Sequence, residues 1–84
     1  MSYFVYAIYN KDHKKIYIGQ TDDIKNRLLL HNDHLFKKSY TSRFDGDWSL
    51  IYKEKIENRQ EALIREKELK SYRGRQFIKQ YIPG

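Results

Sequence analysis

The sequence contains no cysteine, which excludes a disulfide scaffold and a zinc site built on thiolates. No stretch approaches the roughly 18 consecutive apolar residues that a membrane-spanning helix needs. The first residues, Met1-Ser2-Tyr3-Phe4, lack the basic and apolar regions of a signal peptide, so we expect a cytoplasmic location. Repeats, linkers and low-complexity tracts are also lacking. The 84 residues are therefore expected to form one domain, residues 1–84.

The composition predicts a small folded domain with a polyanionic partner. A hydrophobic share of 39%, with 15% aromatic residues, is too high for a disordered chain. The formal net charge is +6, and the basic residues concentrate in residues 11–15, 37–43 and 65–79. Nucleic acid is the favoured partner. The alternative is a solvated basic surface that only keeps a small protein soluble.

Two segments with β-strand character open the chain. Residues 3–9 are almost all β-branched or aromatic, and a turn-forming segment follows them. Residues 15–19 are predicted to be the antiparallel partner strand of a hairpin. Because side chains alternate between the faces of a strand, Tyr6 and Tyr17 lie close together if the register puts them on the same face.

A first helix is predicted from Asp23 to about Asn32, with Thr21 or Asp22 as its N-cap. At about 100° per residue, one stripe of this helix contains a histidine among apolar side chains. The stripe consists of Ile24, Leu28 and His31, and Arg27 lies at its edge.

A second helix is predicted to begin after the N-cap Asn58 and to continue to about Arg73, where Gly74 ends it. Residues 76–82 predict a further helical turn or two. The apolar arc of the second helix consists of Ala62, Leu63 and Leu69, extended by Tyr72, and Glu66 falls inside it. Because a bare carboxylate is expensive to bury, we expect Glu66 to be paired, coordinated or protonated.

The predicted fold follows from the order of these elements. Trp48–Ile56 is predicted to be a third strand, after a basic loop that covers residues 37–46. The order ββαβαα predicts an α+β fold in which helices flank a three-stranded antiparallel sheet.

Taken in order, these segments resemble the GIY-YIG family of nucleases over roughly residues 3–80. Phe4-Val5-Tyr6 stands where the family has its first triplet, with Phe4 in place of glycine, and Tyr17-Ile18-Gly19 matches the second triplet. Arg27 and His31 follow on a segment similar to the family's helix, and residues 61–70 resemble its glutamate helix. The chain is similar to short bacterial members and to the N-terminal domain of the excision-repair nuclease, which makes DNA repair the expected setting. Residues 71–76 occupy the region where family members often carry a further polar residue, and no replacement for it is assigned.

The resemblance implies a metal-dependent endonuclease that hydrolyses DNA phosphodiester bonds. The implied catalytic residues are Tyr6, Tyr17, Arg27, His31 and Glu66. Glu66 suits one hard cation, Mg²⁺ or Mn²⁺, and the planar guanidinium of Arg27 suits a phosphate. One of the two tyrosines is implied as general base; Tyr6 is preferred, and the sequence does not decide between them. His31 orients a tyrosine or the attacking water, or carries the proton.

Several assignments keep alternatives at this stage. The expected nucleic-acid contacts are Gly19, Lys37, Lys38, Arg43, Arg73, Arg75 and Lys79, although Gly19 also fits a strand end where the backbone turns towards the helix. Glu66 could instead form a structural ion pair with Arg27 or Arg65. Two further functions stay open. One is a non-catalytic nucleic-acid-binding module of the same fold, and the other is a catalytic domain that is active only when a protein partner delivers the substrate.

Overall fold

The computed structural model describes residues 2–32 and 46–83 of the chain. Its strands are β1 (Tyr3–Asn10), β2 (Lys15–Thr21) and β3 (Trp48–Ile56). They form one antiparallel sheet in the order β2-β1-β3. The helices are α1 (Ile24–Asn32), α2 (Arg59–Lys70) and α3 (Tyr72–Lys79). The predicted α+β class and the order ββαβαα are confirmed.

The two faces of the sheet carry separate apolar clusters, as the alternation of side chains along β1 predicts. On one face, Val5 and Ala7 of β1 pack with Ala62 and Leu69 of α2 and with Ile78 of α3. The other face is lined by residues of all three strands and of α1. This second cluster consists of Tyr6, Ile8 and Trp48, with Tyr17, Ile24, Leu28 and Leu50 packed against it. The sheet therefore lies between α1 on one side and α2 with α3 on the other.

A β-bulge in β3 changes which face of the sheet its side chains point to, so the two ends of β3 pack in different clusters. Ala7 pairs with Tyr52, but the next residue, Ile8, pairs with Leu50, so Ile51 is an extra residue opposite β1. An extra residue reverses the alternation of side chains beyond it. Leu50 therefore packs on the α1 side, whereas Tyr52 packs on the side of α2 and α3.

Helix α1 begins one residue later than predicted, and its cap is a different residue. The carboxylate of Asp23 accepts a hydrogen bond from the backbone N–H of Asn26 at 3.1 Å, which makes Asp23 the N-cap. The hydroxyl of Thr21 instead accepts from the N–H of Asp23 at 3.1 Å. Neither Thr21 nor Asp22 caps the helix, because β2 continues to Thr21 instead of ending at Gly19.

The prediction that the second helix continues to Arg73 and ends at Gly74 is wrong. The N-cap Asn58 is confirmed, since its side chain accepts from the N–H of Glu61 at 2.9 Å. The helix stops at Lys70 because Ser71 adopts an extended backbone, with ψ of 168°. Ser71 is at once the C-cap of α2 and the N-cap of α3, and its hydroxyl oxygen accepts from the N–H of Gly74 at 3.2 Å.

Gly74 lies in the first turn of α3, where the two helices touch. A Cβ atom at this position would come within 2.2 Å of the carbonyl oxygen of Glu68 and 2.4 Å of the Cα atom of Leu69. Both neighbours are backbone atoms that cannot move aside. Glycine is therefore required here by the close approach of two helix backbones, and α3 begins four residues before the predicted residue 76.

Two members of the predicted apolar arc of α2 are exposed. Leu63 is solvent-exposed, and Tyr72 is 78% exposed, while Ala62 and Leu69 are buried. Tyr72 leaves the arc because the chain changes direction at Ser71, so the angular arithmetic of α2 no longer applies to it. No helix within residues 2–32 and 46–83 is long and apolar enough to cross a membrane.

Candidate active site

The first motif tyrosine is joined to the histidine of α1 across the core. Tyr6 is 3% exposed and His31 is 2% exposed. The hydroxyl of Tyr6 and Nε2 of His31 share a hydrogen bond of 2.9 Å. Tyr6 points to the α1 side of the sheet by the alternation of β1, and His31 falls on the inner stripe of the helix. The pairing of these two residues follows from the two periodicities.

The second motif tyrosine completes an aromatic triangle with these two side chains. Ring centroids are 6.3 Å apart for Tyr6 and Tyr17, and 5.0 Å apart for Tyr17 and His31. The register places Tyr6 opposite Gly19 and Ile8 opposite Tyr17, so the two tyrosines are diagonal neighbours on one face. The expectation that they lie close together is confirmed.

Gly19 lies under this triangle instead of at the end of a strand. It is buried, and a Cβ atom there would come within 2.9 Å of the Tyr6 hydroxyl and 3.0 Å of the Tyr17 ring. The missing side chain of Gly19 therefore makes room for the two aromatic rings. Its contact with nucleic acid stays a prediction, and its burial gives that prediction no support.

Arg27 acts on the triangle from the exposed side of α1. Its positive charge lowers the pKa of both Tyr6 and His31. It also lines a polar cavity of about 190 Å³ whose other walls come from β1, β2 and α2. The lining residues are Tyr3, Gln20, Thr21, Asp22, Arg27 and Arg59. Arg27 and Arg59 therefore border one small cavity.

Glu66 lies on the inner side of α2, and only 21% of its side chain is exposed. Its carboxylate forms an ion pair of 3.2 Å with Lys70, one turn further along the helix. Arg65, one of the partners considered from the sequence, pairs instead with Glu54 at 3.1 Å. The negative charge of Glu66 still contributes to raising the pKa of Tyr6, so the carboxylate belongs to the same electrostatic group as the tyrosine.

A cavity along the edge of β2 connects the two sides of the sheet. Its volume is about 270 Å³, and it is lined by Ile16, Tyr17, Ile18, Lys70 and Arg75. Tyr17 belongs to the α1 side of β2, whereas Ile16 and Ile18 belong to the α2 side. The cavity therefore wraps around the edge strand and brings the aromatic triangle next to the Lys70 partner of Glu66.

Burial sets the protonation states of the inner pair. Desolvation, followed by the influence of Tyr17, raises the pKa of Tyr6 well above its ordinary value, and Arg27 only partly offsets this. Desolvation together with the charge of Arg27 lowers the pKa of His31 to about 4. At neutral pH the hydrogen bond therefore joins a neutral tyrosine to a neutral histidine, and one ring nitrogen of His31 is free of a proton.

The donor set of the site fits a cation that is held through few protein ligands. Within the described residues, no group of three or more His, Asp, Glu or Cys side chains could hold a metal ion. Glu66 offers a single, largely buried carboxylate. Mg²⁺ commonly keeps several waters and binds through one or two carboxylates plus substrate phosphates, so a single carboxylate fits such an ion.

The predicted nucleic-acid contacts divide between described and undescribed residues. Lys37, Lys38 and Arg43 lie outside the described residues. Arg73, Arg75 and Lys79 are exposed on α3. Arg75 is anchored, since its Nε donates to the backbone carbonyl of Lys70 at 3.2 Å.

The sequence reasoning missed two basic residues next to the site. Lys70 neutralises Glu66, and its signal in the sequence is the spacing of four residues between an acid and a base on one helix. Arg59 shares a cavity with Arg27. No sequence signal predicts that proximity, because it depends on how α2 packs beside β2.

The class of this protein is defined by its ββαβαα fold together with a tyrosine–histidine pair, an arginine on the first helix and a glutamate on the second. The chain belongs to the GIY-YIG family, since the model of the GIY-YIG catalytic domain matches residues 2–81. It is similar to the solution NMR structure of the UPF0213 protein BH0048 from Bacillus halodurans. That comparison has 27% sequence identity and a TM-score of 0.55, and it covers 100% of this chain and 88% of the other. No curated protein matches the chain at a significant level. Membership of this family implies nuclease activity in general.

Proposed function

We propose that this protein is a metal-dependent endonuclease that hydrolyses DNA phosphodiester bonds with one divalent cation and a tyrosine as general base. The observation that carries the proposal is the 2.9 Å hydrogen bond between Tyr6 and His31, and the charges of Arg27 and Glu66 both influence the pKa of Tyr6. A purely structural tyrosine pair needs neither a buried histidine partner nor an arginine and a carboxylate acting on the same hydroxyl.

The proton of the attacking water is transferred to the Tyr6–His31 pair. Because burial raises the pKa of Tyr6, a free tyrosinate is not available at neutral pH. Tyr6 instead donates its proton to Nε2 of His31 as its oxygen accepts the proton of the water. At neutral pH His31 has an unprotonated ring nitrogen to accept the proton, because its pKa is about 4. The same low pKa makes the imidazolium a short-lived, high-energy species. The pair thus acts as a base without forming a tyrosinate in the core, and the positive charge that forms is carried transiently by His31.

Arg27 binds the scissile phosphate and stabilises the charge that develops on it. Its guanidinium stays charged at any physiological pH and donates two parallel hydrogen bonds to phosphate oxygens. Arg59 lines the same cavity as Arg27 and is available for an adjacent phosphate. DNA is the proposed partner because the chain carries a net charge of +6.

Glu66 is the proposed ligand of Mg²⁺ or Mn²⁺, an ion that would neutralise charge on the phosphate and on the leaving oxygen. Lys70 holds the carboxylate in place through the ion pair of 3.2 Å. The same ion pair means that the cation and the ammonium group of Lys70 compete for one carboxylate.

The proposed function is tested by Glu66→Gln. This change keeps the size of the side chain and removes the charge, so cleavage should be lost while the fold and the affinity for DNA are nearly unchanged. Nicking and linear cleavage of labelled duplex and branched DNA should be measured with Mg²⁺, with Mn²⁺ and with EDTA. The matched control is Glu68→Gln on the same helix, where 59% of the side chain is exposed.

The two glutamate variants give opposite expectations. Glu68→Gln should cut DNA like the wild-type protein. EDTA should stop cleavage by Glu68→Gln and by the wild-type protein. If Glu66→Gln cuts normally with Mg²⁺, Glu66 is not the metal ligand. If the wild-type protein binds DNA and never cuts it, the function is either the non-catalytic binding module or the domain that is active only with a protein partner.

A further inference from the structure

Helix α3 presents a face to solvent that its role in the fold does not explain. Its inner face is formed by Gly74, Phe77 and Ile78, which pack on α2 and on the sheet. The opposite face carries Tyr72, Arg75, Gln76 and Lys79, which are all exposed and follow the helical spacing i, i+3, i+4, i+7. We refer to these four residues as the α3 stripe.

Tyr72 is the unusual member of the α3 stripe. It is 78% exposed, more than the other exposed large hydrophobic residues of the described chain. The other aromatic residues of this region, Phe77 and Tyr81, pack against each other and against Tyr52 in edge-to-face or tilted contacts, with ring centroids 5.0–5.5 Å apart. An aromatic ring held on the outside of a basic helix is a surface on which a nucleic-acid base can stack.

The α3 stripe begins at the candidate active site. Arg75 lines the same cavity as Tyr17 and Lys70, at the edge of β2. Its guanidinium is fixed in position by the hydrogen bond to the Lys70 carbonyl. Tyr72 lies on the same face as Arg75, one helical turn before it. A strand that leaves the cavity along Arg75 therefore meets the ring of Tyr72 within a few ångströms of helix length.

We propose that the α3 stripe binds a single-stranded segment of DNA next to the cleavage site, with an unpaired base stacked on Tyr72 and phosphates held by Arg75 and Lys79. This inference rests on the proposed nuclease function and extends it to a substrate class, which is DNA that carries unpaired bases beside the scissile bond. Bases in a paired duplex are stacked on each other and offer no free face to Tyr72. The ring therefore favours a flap, gap or overhang over continuous duplex.

The experiment compares the affinity for two fluorescent DNA molecules in EDTA, so that no cleavage occurs. One is a blunt duplex, and the other is the same duplex with a short single-stranded extension. The wild-type protein should bind the extended molecule about 10-fold more tightly than the blunt one. Tyr72→Ala should lose most of this preference and keep its affinity for the blunt duplex. Tyr72→Phe should keep the preference, because the ring is retained.

The matched control is Ile64→Ala, which removes another apolar side chain that is 60% exposed, on α2. It should leave both affinities unchanged. The inference is overturned if the wild-type protein binds both molecules equally, or if Tyr72→Ala weakens binding to both by the same factor. Because no step requires cleavage, a protein that shows the preference and never cuts would refute the nuclease proposal alone. A protein that cuts without any such preference would refute only the role of Tyr72.

Discussion

At the scale of single residues, the proposed chemistry depends on a hydroxyl and a ring nitrogen that are buried together. Burial makes the charged form of each group unfavourable. It therefore raises the pKa of Tyr6, whose charged form is an anion, and lowers the pKa of His31, whose charged form is a cation. Both groups therefore stay neutral around pH 7. A neutral pair can pass a proton along its hydrogen bond, whereas an ion in the same place would be costly to keep.

The first prediction at this scale concerns the two motif tyrosines. Tyr6→Phe should fold, should lose about 1 kcal/mol of stability with its hydrogen bond, and should cut DNA about 100-fold more slowly or worse. Tyr17→Phe should lose less activity, because we propose Tyr6 as the base and the Tyr17 hydroxyl as its companion. Cleavage rates and urea unfolding should be measured together, with Tyr9→Phe on the same strand as control. Two folded Phe variants of Tyr6 and Tyr17 with full activity would exclude catalysis by either motif.

The second residue-scale prediction is a pH dependence of stability caused by His31. Its pKa is about 4 in the folded protein and about 6.5 when it is exposed in the unfolded chain. Above about pH 6.5 both states are neutral and His31 has no effect. As the pH falls towards 4, the unfolded chain takes up the proton first, so folding loses stability. Between pH 7 and pH 5 this loss should be about 2 kcal/mol.

The measurement is urea unfolding at about pH 7 and about pH 5 for the wild-type protein and for two variants. His31→Gln should remove most of the loss, because the amide does not titrate and can still accept from Tyr6. His13→Gln, at an exposed position in the β1–β2 turn, should behave like the wild type. An equal loss in the wild type and in His31→Gln would mean that other groups cause it.

At the scale of secondary-structure elements, the junction of α2 and α3 determines which residues of α3 form the exposed α3 stripe. Ser71 ends one helix and begins the next, and the missing side chain of Gly74 lets the two backbones touch. If the second helix continued to Arg73, as the apolar arc predicts, Tyr72 would turn towards the core. The turn at Ser71 instead places Tyr72 outside and Phe77 and Ile78 inside.

Gly74→Ala tests this junction. The three atoms nearest to a methyl group at this position are backbone atoms of Glu68 and Leu69, so the helices must separate. We expect a loss of about 2 kcal/mol or more, as for other overpacked contacts. The control is Gln76→Ala on the outer face of the same helix, which should change stability by less than about 0.5 kcal/mol. Thermal and urea unfolding of the two variants give the comparison. Equal stability of Gly74→Ala and the wild type would contradict the close contact.

At the scale of the whole molecule, the net charge of +6 should dominate the affinity for nucleic acid. If about four phosphates are neutralised, the affinity for duplex DNA should fall about 100-fold between 50 and 200 mM salt. Fluorescence anisotropy at several salt concentrations in EDTA measures the slope. A Kd that hardly changes over this range would show that the basic surface does not bind the DNA backbone.

Two charge-reversal variants test which part of the basic surface binds DNA. Arg75→Glu, in the α3 stripe beside the site, should weaken binding and lower the salt slope. Lys11→Glu, in the exposed turn between β1 and β2, makes the same change in net charge and should have a much smaller effect. Equal effects of the two variants would mean that only the total charge matters.

The sequence by itself determined which elements form and which side chains share one face of β1, of β2 and of α1, whereas the register between the strands came from the structure. Alternation along the strands and the period of α1 put Tyr6, Tyr17 and His31 on facing surfaces, because both periods are fixed by local backbone geometry. For the same reason the class and order of the elements, the cap Asn58 and the inward position of Glu66 were predictable.

The tertiary structure determined the features that the periodicity of strands and helices does not predict. The bulge at Ile51, the proximity of Arg59 to Arg27 and the exposure of Tyr72 all depend on how separate elements pack together. The protonation states of Tyr6 and His31 belong to the same class, since their pKa values are set by burial between the sheet and α1. The sequence could identify Tyr6 and His31 as candidate site residues. It could not predict their pKa values, because these groups lose their contact with water only when the chain folds.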